Sequence, residues 1–109
     1  MKVVYTFDAF NHRRYSNPWV AEVDPKTAKI SFARKIGGYT GGYGTGDAGD
    51  LYITEPQEGA IYAYGQKDTR KASGSFTQYI VYKDGDFVDV AKTELVAVCN
   101  ARQEQLNNA

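Results

Sequence analysis

Apolar and polar positions alternate with a period of two along most of this chain, then switch to a period between three and four near its end. Val3 to Phe7 opens the pattern, with Val3, Tyr5 and Phe7 on one face and Val4 and Thr6 on the other, which predicts a strand. Asn11 to Pro18 gathers turn-forming residues and a proline that pushes Asn17 toward extended backbone, so this segment is read as a loop. Trp19 to Val23 is the second predicted strand. Asp24-Pro25-Lys26-Thr27 has the composition of a type I turn, and Ala28 to Ala33, with Ile30 and Phe32 on one side, returns as its hairpin partner.

A glycine-rich stretch follows, and alternation resumes at Asp50 to Thr54 with Leu51 and Ile53 inward. Glu55-Pro56-Gln57-Glu58-Gly59 reads as a turn into Ala60 to Tyr64, which makes a second hairpin. Gly65 to Ser75 is polar and basic and is expected to be a mobile loop. Ser75 to Tyr82 and Phe87 to Val90 flank Lys83-Asp84-Gly85-Asp86, whose Asp-Gly pair is the strongest hairpin signal in the chain. Beyond Lys92 the period changes: Leu95, Val96, Val98, Cys99, Arg102 and Leu106 form one face of a helix. Thr93 supplies the expected capping oxygen, or Glu94 stands at N3 behind Ala91. The polar residues 103 to 109 are expected to fray. These elements predict a single α+β domain over residues 1–102: an antiparallel sheet of about six or seven strands built from hairpins, with one C-terminal helix packed on it.

Composition narrows the class. With 109 residues, 42% of them hydrophobic, the chain is long enough for one modest core without disulfides or metals. Nine tyrosines against five phenylalanines favour half-buried and contact surfaces, because the ring packs while the hydroxyl stays wet. Thirteen basic and thirteen acidic residues cancel, which argues against a dedicated duplex-binding domain and against an acidic nucleic-acid mimic. The charges are sorted along the chain, since Lys and Arg are absent from residues 36 to 66, where Asp47, Asp50, Glu55 and Glu58 lie. Such blocks either give two-signed faces that steer a partner or interleave on folding into an ordinary solvated surface. Cys99 is the single cysteine, so an intramolecular disulfide is excluded and a small buried hydrophobe in a reducing compartment is expected. The N-terminal residues lack the apolar run of a signal peptide, and no stretch has the length of apolar sequence that a membrane span needs. A soluble, cytoplasmic protein with no membrane partner is expected, in the host cytoplasm if the gene belongs to a phage.

The glycine-rich stretch is the candidate functional element. Of the thirteen residues from Gly37 to Gly49, seven are glycine. Glycine loses more backbone entropy on folding than any other residue, so this density implies a loop that bends unusually or lies close to something. Gly44-Thr45-Gly46-Asp47-Ala48-Gly49 fits the letters G-x-G-x-x-G, but a strand pattern and not a helix comes next, so the dinucleotide-binding reading is rejected. Three readings remain: a close-packed structural loop, a partner-binding loop displaying Tyr39 and Tyr43, or an anion site in which loop amides act with Arg34 and Lys35 just upstream.

Other candidate chemistry is thin. Asp47 and Asp50 supply too few carboxylates for a calcium site, and solvated turn acids explain them and Asp84, Asp86 and Asp89. His12 is the only imidazole, and Arg13 and Arg14 beside it favour its neutral form; with one distant cysteine it makes no structural zinc site. No Ser or Cys lies in a nucleophile motif. Tyr62 to Lys71 interleaves aromatics with cations as single-strand nucleic-acid binders do, although Tyr62 and Tyr64 share a face with Ala60 and are equally explained as packed residues.

Short, tyrosine-rich, hairpin-dominated and without active-site motifs, the chain resembles in style the small single-domain proteins of bacteriophages and mobile elements. That likeness is tied to no motif and to no named family. Many such proteins bind a host protein, among them inhibitors of bacterial defence systems such as anti-CRISPR proteins, and the resemblance implies the same here. The leading expectation is a non-enzymatic protein-binding module with no cofactor and no metal. Its contact residues are Tyr39, Tyr43, Thr40, Thr45, Arg13, Arg14 and Arg70. The alternative is a small-ligand or nucleotide binder holding an anion with Arg34, Lys35, Gly42, Gly44 and Gly46. An enzyme ranks third, with His12, Asp47 and Asp50 as the place to search for turnover. A sheet edge or the tyrosines equally support a homodimer.

Overall fold

The structure, a computed structural model, describes residues 2–8, 16–35, 37–40, 48–68 and 76–108. The strands are β1 (Lys2–Asp8), β2 (Ser16–Asp24), β3 (Lys29–Lys35), β4 (Gly37–Thr40), β5 (Ala48–Ile53), β6 (Ile61–Asp68), β7 (Phe76–Lys83) and β8 (Asp86–Val90). A 3-10 turn, Lys92–Glu94, leads into helix α1 (Leu95–Asn107). The α+β class with antiparallel pairing and one C-terminal helix matches the sequence reading. The single sheet of six or seven strands does not. Among the described residues eight strands form two sheets, a three-stranded one ordered β1-β5-β4 and a five-stranded one ordered β3-β2-β6-β7-β8.

Three layers result. The five-stranded sheet lies in the middle, and its two faces carry separate cores. On one face Ala21, Val23, Ile61, Ala63 and Val90 pack against Leu95 and Cys99 of the helix. On the other, Val20, Tyr62 and Ile80 pack against Ile53 of β5 and half-buried Val4 of β1. Burial on both sides explains why Ala60 to Tyr64 is an unbroken apolar run, since a strand covered twice has no water-facing position to alternate.

Two of the predicted hairpins form. Asp24 and Lys29 close the first, with the Lys26 N–H donating to Asp24 Oδ1 at 2.9 Å and the Ala28 N–H to the Asp24 carbonyl at 2.8 Å. Ala28 belongs to this turn and not to the strand, with φ of 57°. Asp84 and Gly85 close the other at φ of 52° and 80°, so both central residues lie in the left-handed region as a type I′ turn requires. The hairpin expected between residues 50–54 and 60–64 does not form. β5 pairs with β1 and β4 while β6 pairs with β2 and β7, so residues 54–60 carry the chain from one sheet to the other.

Several boundaries move. β2 starts at Ser16 and includes Pro18 within the segment read as loop, and β6 runs on to Asp68. Thr93 makes no cap: Ala91 precedes the 3-10 turn and Glu94 precedes α1, neither with a side-chain capping bond. The helix continues through Asn107, past the expected frayed start at residue 103. Its buried side chains are Leu95 and Cys99, with Val98 packed beside them, whereas Val96 is 64% and Leu106 51% exposed, so the predicted apolar face is narrower than six residues.

Candidate functional site

The glycine-rich stretch begins and ends as strand. Gly37, Gly38, Tyr39 and Thr40 oppose Ile53, Tyr52, Leu51 and Asp50, so β4 and β5 are two arms of a hairpin joined by residues 41–47. This corrects both ends of the loop expected over Gly37 to Gly49, at residues 37–40 and 48–49, while residues 41–47 lie outside the described residues. Gly37 and Gly38 are ladder positions of β4, which also runs near β2. β5 is held on both edges, and its Leu51 and Ile53 are fully buried.

Of the expected contact residues, Tyr39 and Thr40 are the last two positions of β4. Tyr43, Thr45, Arg13, Arg14 and Arg70 lie outside the described residues, as do Gly42, Gly44, Gly46, His12 and Asp47. Arg34 and Lys35 end β3, with Lys35 opposite Ala21, and Asp50 sits in β5 between Thr6 and Thr40. The ladders show where the remaining segments attach. Residues 9–15 leave β1 at Asp8, which opposes Ala48 where the glycine-rich connection ends, and rejoin at Ser16, which opposes Asp68 where the Arg70 segment begins. Residues 9–15 therefore connect a point beside the end of the glycine-rich connection to a point beside the start of the Arg70 segment.

A second cluster, which the sequence reading missed, surrounds the crossover at 54–60. The Gln57 N–H donates to the Tyr62 hydroxyl at 3.0 Å, the Gly59 N–H to the Tyr82 carbonyl at 2.7 Å, and the Asp84 N–H to Glu58 Oε1 at 2.7 Å. From the helix, Arg102 donates to the Glu58 carbonyl at 3.0 Å, and Gln103 donates to the Pro25 carbonyl at 2.8 Å. Small hollows flank Arg102: one of about 210 Å³ bordered by Glu22, Gln57 and Ile61, and one of about 290 Å³ bordered by Gly59, Lys83 and Gln105. The signal available in the sequence was Arg102 itself, a cation on the core-facing side of an otherwise apolar helix pattern.

Electrostatics mark no reactive group here. Tyr62 is 1% exposed, and burial pushes its phenol above the ordinary 10.0, helped by the Glu22 carboxylate and opposed by the Gln57 N–H. Its ring meets Phe87 edge to face at 6.2 Å, so this tyrosine serves the core and is not available for stacking bases. Burial and Asp24 also push the Cys99 thiol above 9.0, which keeps it in its unreactive form. Among the described residues no three His, Cys, Asp or Glu side chains come together as a metal site, and no helix is long and apolar enough to cross a membrane.

Comparison with known protein families, curated proteins and solved structures finds no match to this chain.

Proposed function

We propose that this chain is a non-enzymatic binding module that takes hold of a protein partner with the glycine-tyrosine hairpin β4–β5 and the arginine-bearing segments attached beside it. The observation that carries the reading is the register of the ladders. Tyr39 and Thr40 end a strand paired to β5, whose Leu51 and Ile53 are fully buried, so the connection bearing Tyr43 and Thr45 springs from an anchored base. Asp8 opposes Ala48 and Ser16 opposes Asp68, so the segment carrying Arg13 and Arg14 starts beside the end of the glycine-rich connection and finishes beside the start of the segment carrying Arg70, which supports the reading. Tyrosine and arginine are the residue types that dominate binding energy at protein interfaces, and glycine lets a partner approach the backbone. The stylistic likeness to phage proteins makes a host defence protein the first partner to test.

Affinity capture from a bacterial lysate, read by mass spectrometry, tests this. Wild-type chain is expected to retain a partner that the Tyr39→Ala/Tyr43→Ala variant loses, with the thermal unfolding midpoint of the variant within a few degrees of wild type. Equal capture by both chains removes the hairpin from the interface.

A further inference from the structure

The five-stranded sheet ends at β8, and its outer edge is a second place where chemistry selects a partner, independent of the glycine-tyrosine hairpin. Among the described residues β8 pairs with β7 alone, from Asp86 opposite Lys83 to Val90 opposite Tyr79. In a hairpin closed by a two-residue turn, the residues beside the turn face each other, and the next residue turns its N–H and C=O outward. The structure agrees, because the Phe87 N–H is not in the ladder and instead donates to Asp86 Oδ1 at 2.9 Å. By the same alternation Asp89 faces outward two residues later. The edge therefore offers the Phe87 carbonyl and both backbone groups of Asp89 to an added strand. Its side chains Asp86, Val88 and Asp89 are exposed, Val88 by 47%. At the far end of the strand lies a shallow hollow of about 480 Å³ bordered by Tyr79, Asp89, Val90, Lys92 and Glu94.

The geometry points to β8 as an acceptor edge for an extended, cationic segment of a partner protein, which adds as a further antiparallel strand. Charge decides among occupants. β8 contains two aspartates and no cation. Pairing it with β8 of a second copy would bring four carboxylates into one two-stranded ladder, and like charges across strands destabilise. A segment with lysine or arginine opposite each aspartate relieves that repulsion while the backbone bonds supply affinity. Asp86 and Asp89 stand three residues apart and so on opposite faces of the strand. The matching antiparallel segment carries its cations at i and i+3, with the first one opposite Asp89 at the hollow and the second opposite Asp86.

The test uses the full chain and synthetic hexapeptides. Acetyl-Thr-Lys-Val-Thr-Lys-Val-amide has the required spacing, and its partners carry glutamate at both lysine positions or lysines two residues apart. Nuclear magnetic resonance titration should show the first peptide shifting the amides of Phe87 to Val90 and slowing exchange of the Asp89 amide, with affinity about tenfold above either control. Asp89→Pro removes an outward donor and no β7–β8 bond, so it should keep the fold and lose the peptide. Should that variant fail to fold, the Asp86→Lys/Asp89→Lys chain serves instead, and it should reverse the preference toward the glutamate peptide. Equal binding of all three peptides, binding that leaves β8 unshifted, or no binding overturns the proposal. So does sedimentation showing a dimer of the wild-type chain that Asp89→Pro abolishes, which would assign the edge to a second copy.

Discussion

Replacing Tyr62 by phenylalanine removes one oxygen from the place where the core between the two sheets meets the crossover. The ring stays, so its packing with Val20, Ile53 and Ile80 and its edge contact with Phe87 are retained. What is lost is the acceptor for the Gln57 N–H, 3.0 Å away in a part-buried position. A donor stranded in this way costs about 1–3 kcal/mol, and partial access to water places Gln57 in the lower half, at about 1–2 kcal/mol. For a domain of this size that lowers the midpoint of thermal unfolding by about 4–16 °C. The same oxygen controls alkaline stability. Burial holds the native phenol above 10.0, so its proton is bound more tightly in the folded chain than in the unfolded one. Its contribution is therefore whole below pH 10 and declines as pH rises from 10 through the raised native value. Urea unfolding followed by the fluorescence of Trp19 at pH 7 and across pH 9 to 11 measures both effects. Tyr62→Phe should be weaker at pH 7 and lose less stability above pH 10 than wild type. A variant within about 0.3 kcal/mol of wild type at pH 7, with an unchanged alkaline slope, would refute the account of the junction.

Other positions yield compact expectations. Ala28 and Glu55 hold φ of 57° and 55°, and glycine there relieves about 1–2 kcal/mol of left-handed strain at a cost of about 0.4–1 kcal/mol of unfolded-state entropy, so each exchange should raise stability by up to about 1 kcal/mol in urea titrations. Gly85→Ala should do the opposite by about 1 kcal/mol, and from backbone strain alone, because nothing lies within 4 Å of the added carbon. Cys99 is 2% exposed with a raised pKa, so a disulfide reagent at pH 8 should modify it only as fast as the chain opens, and stability should drop as pH climbs above 9 unless Cys99→Ala removes that titration. Arg102→Ala frees the Glu58 carbonyl, and hydrogen exchange at Gly59 and Ala60 should quicken while the β6–β7 amides stay protected.

Local signals carried the strands and the Asp84-Gly85 turn, because alternation and left-handed turn residues act within a few positions. The partition into two sheets depended on which strands pair at long range. Leu51 and Ile53 point inward whether β5 joins β6 or lies between β1 and β4, and a segment containing Pro56 and Gly59 serves equally as turn or crossover. The unbroken run at Ala60 to Tyr64 was the legible trace of a doubly covered strand. Helical spacing put Val96 and Leu106 with the buried residues, yet the sheet beneath accepts a stripe only as wide as Leu95, Val98 and Cys99. At the candidate site, glycine density read as loop because Gly37 and Gly38 have low strand propensity. Pairing with β5 overrode that preference. Arg102 was visible as an oddity, but its partner, a backbone carbonyl 44 residues away, was not.

The central claim is that the glycine-tyrosine stretch springs from an ordered ladder. Residue-resolved hydrogen exchange of the β4 and β5 amides tests it most directly. Slow exchange at the ladder positions of Gly37 to Thr40 and Asp50 to Ile53, comparable with β2 and β6, is the predicted result. Exchange of the β4 amides at the rate of an open chain, with β2 and β6 still protected, would contradict it.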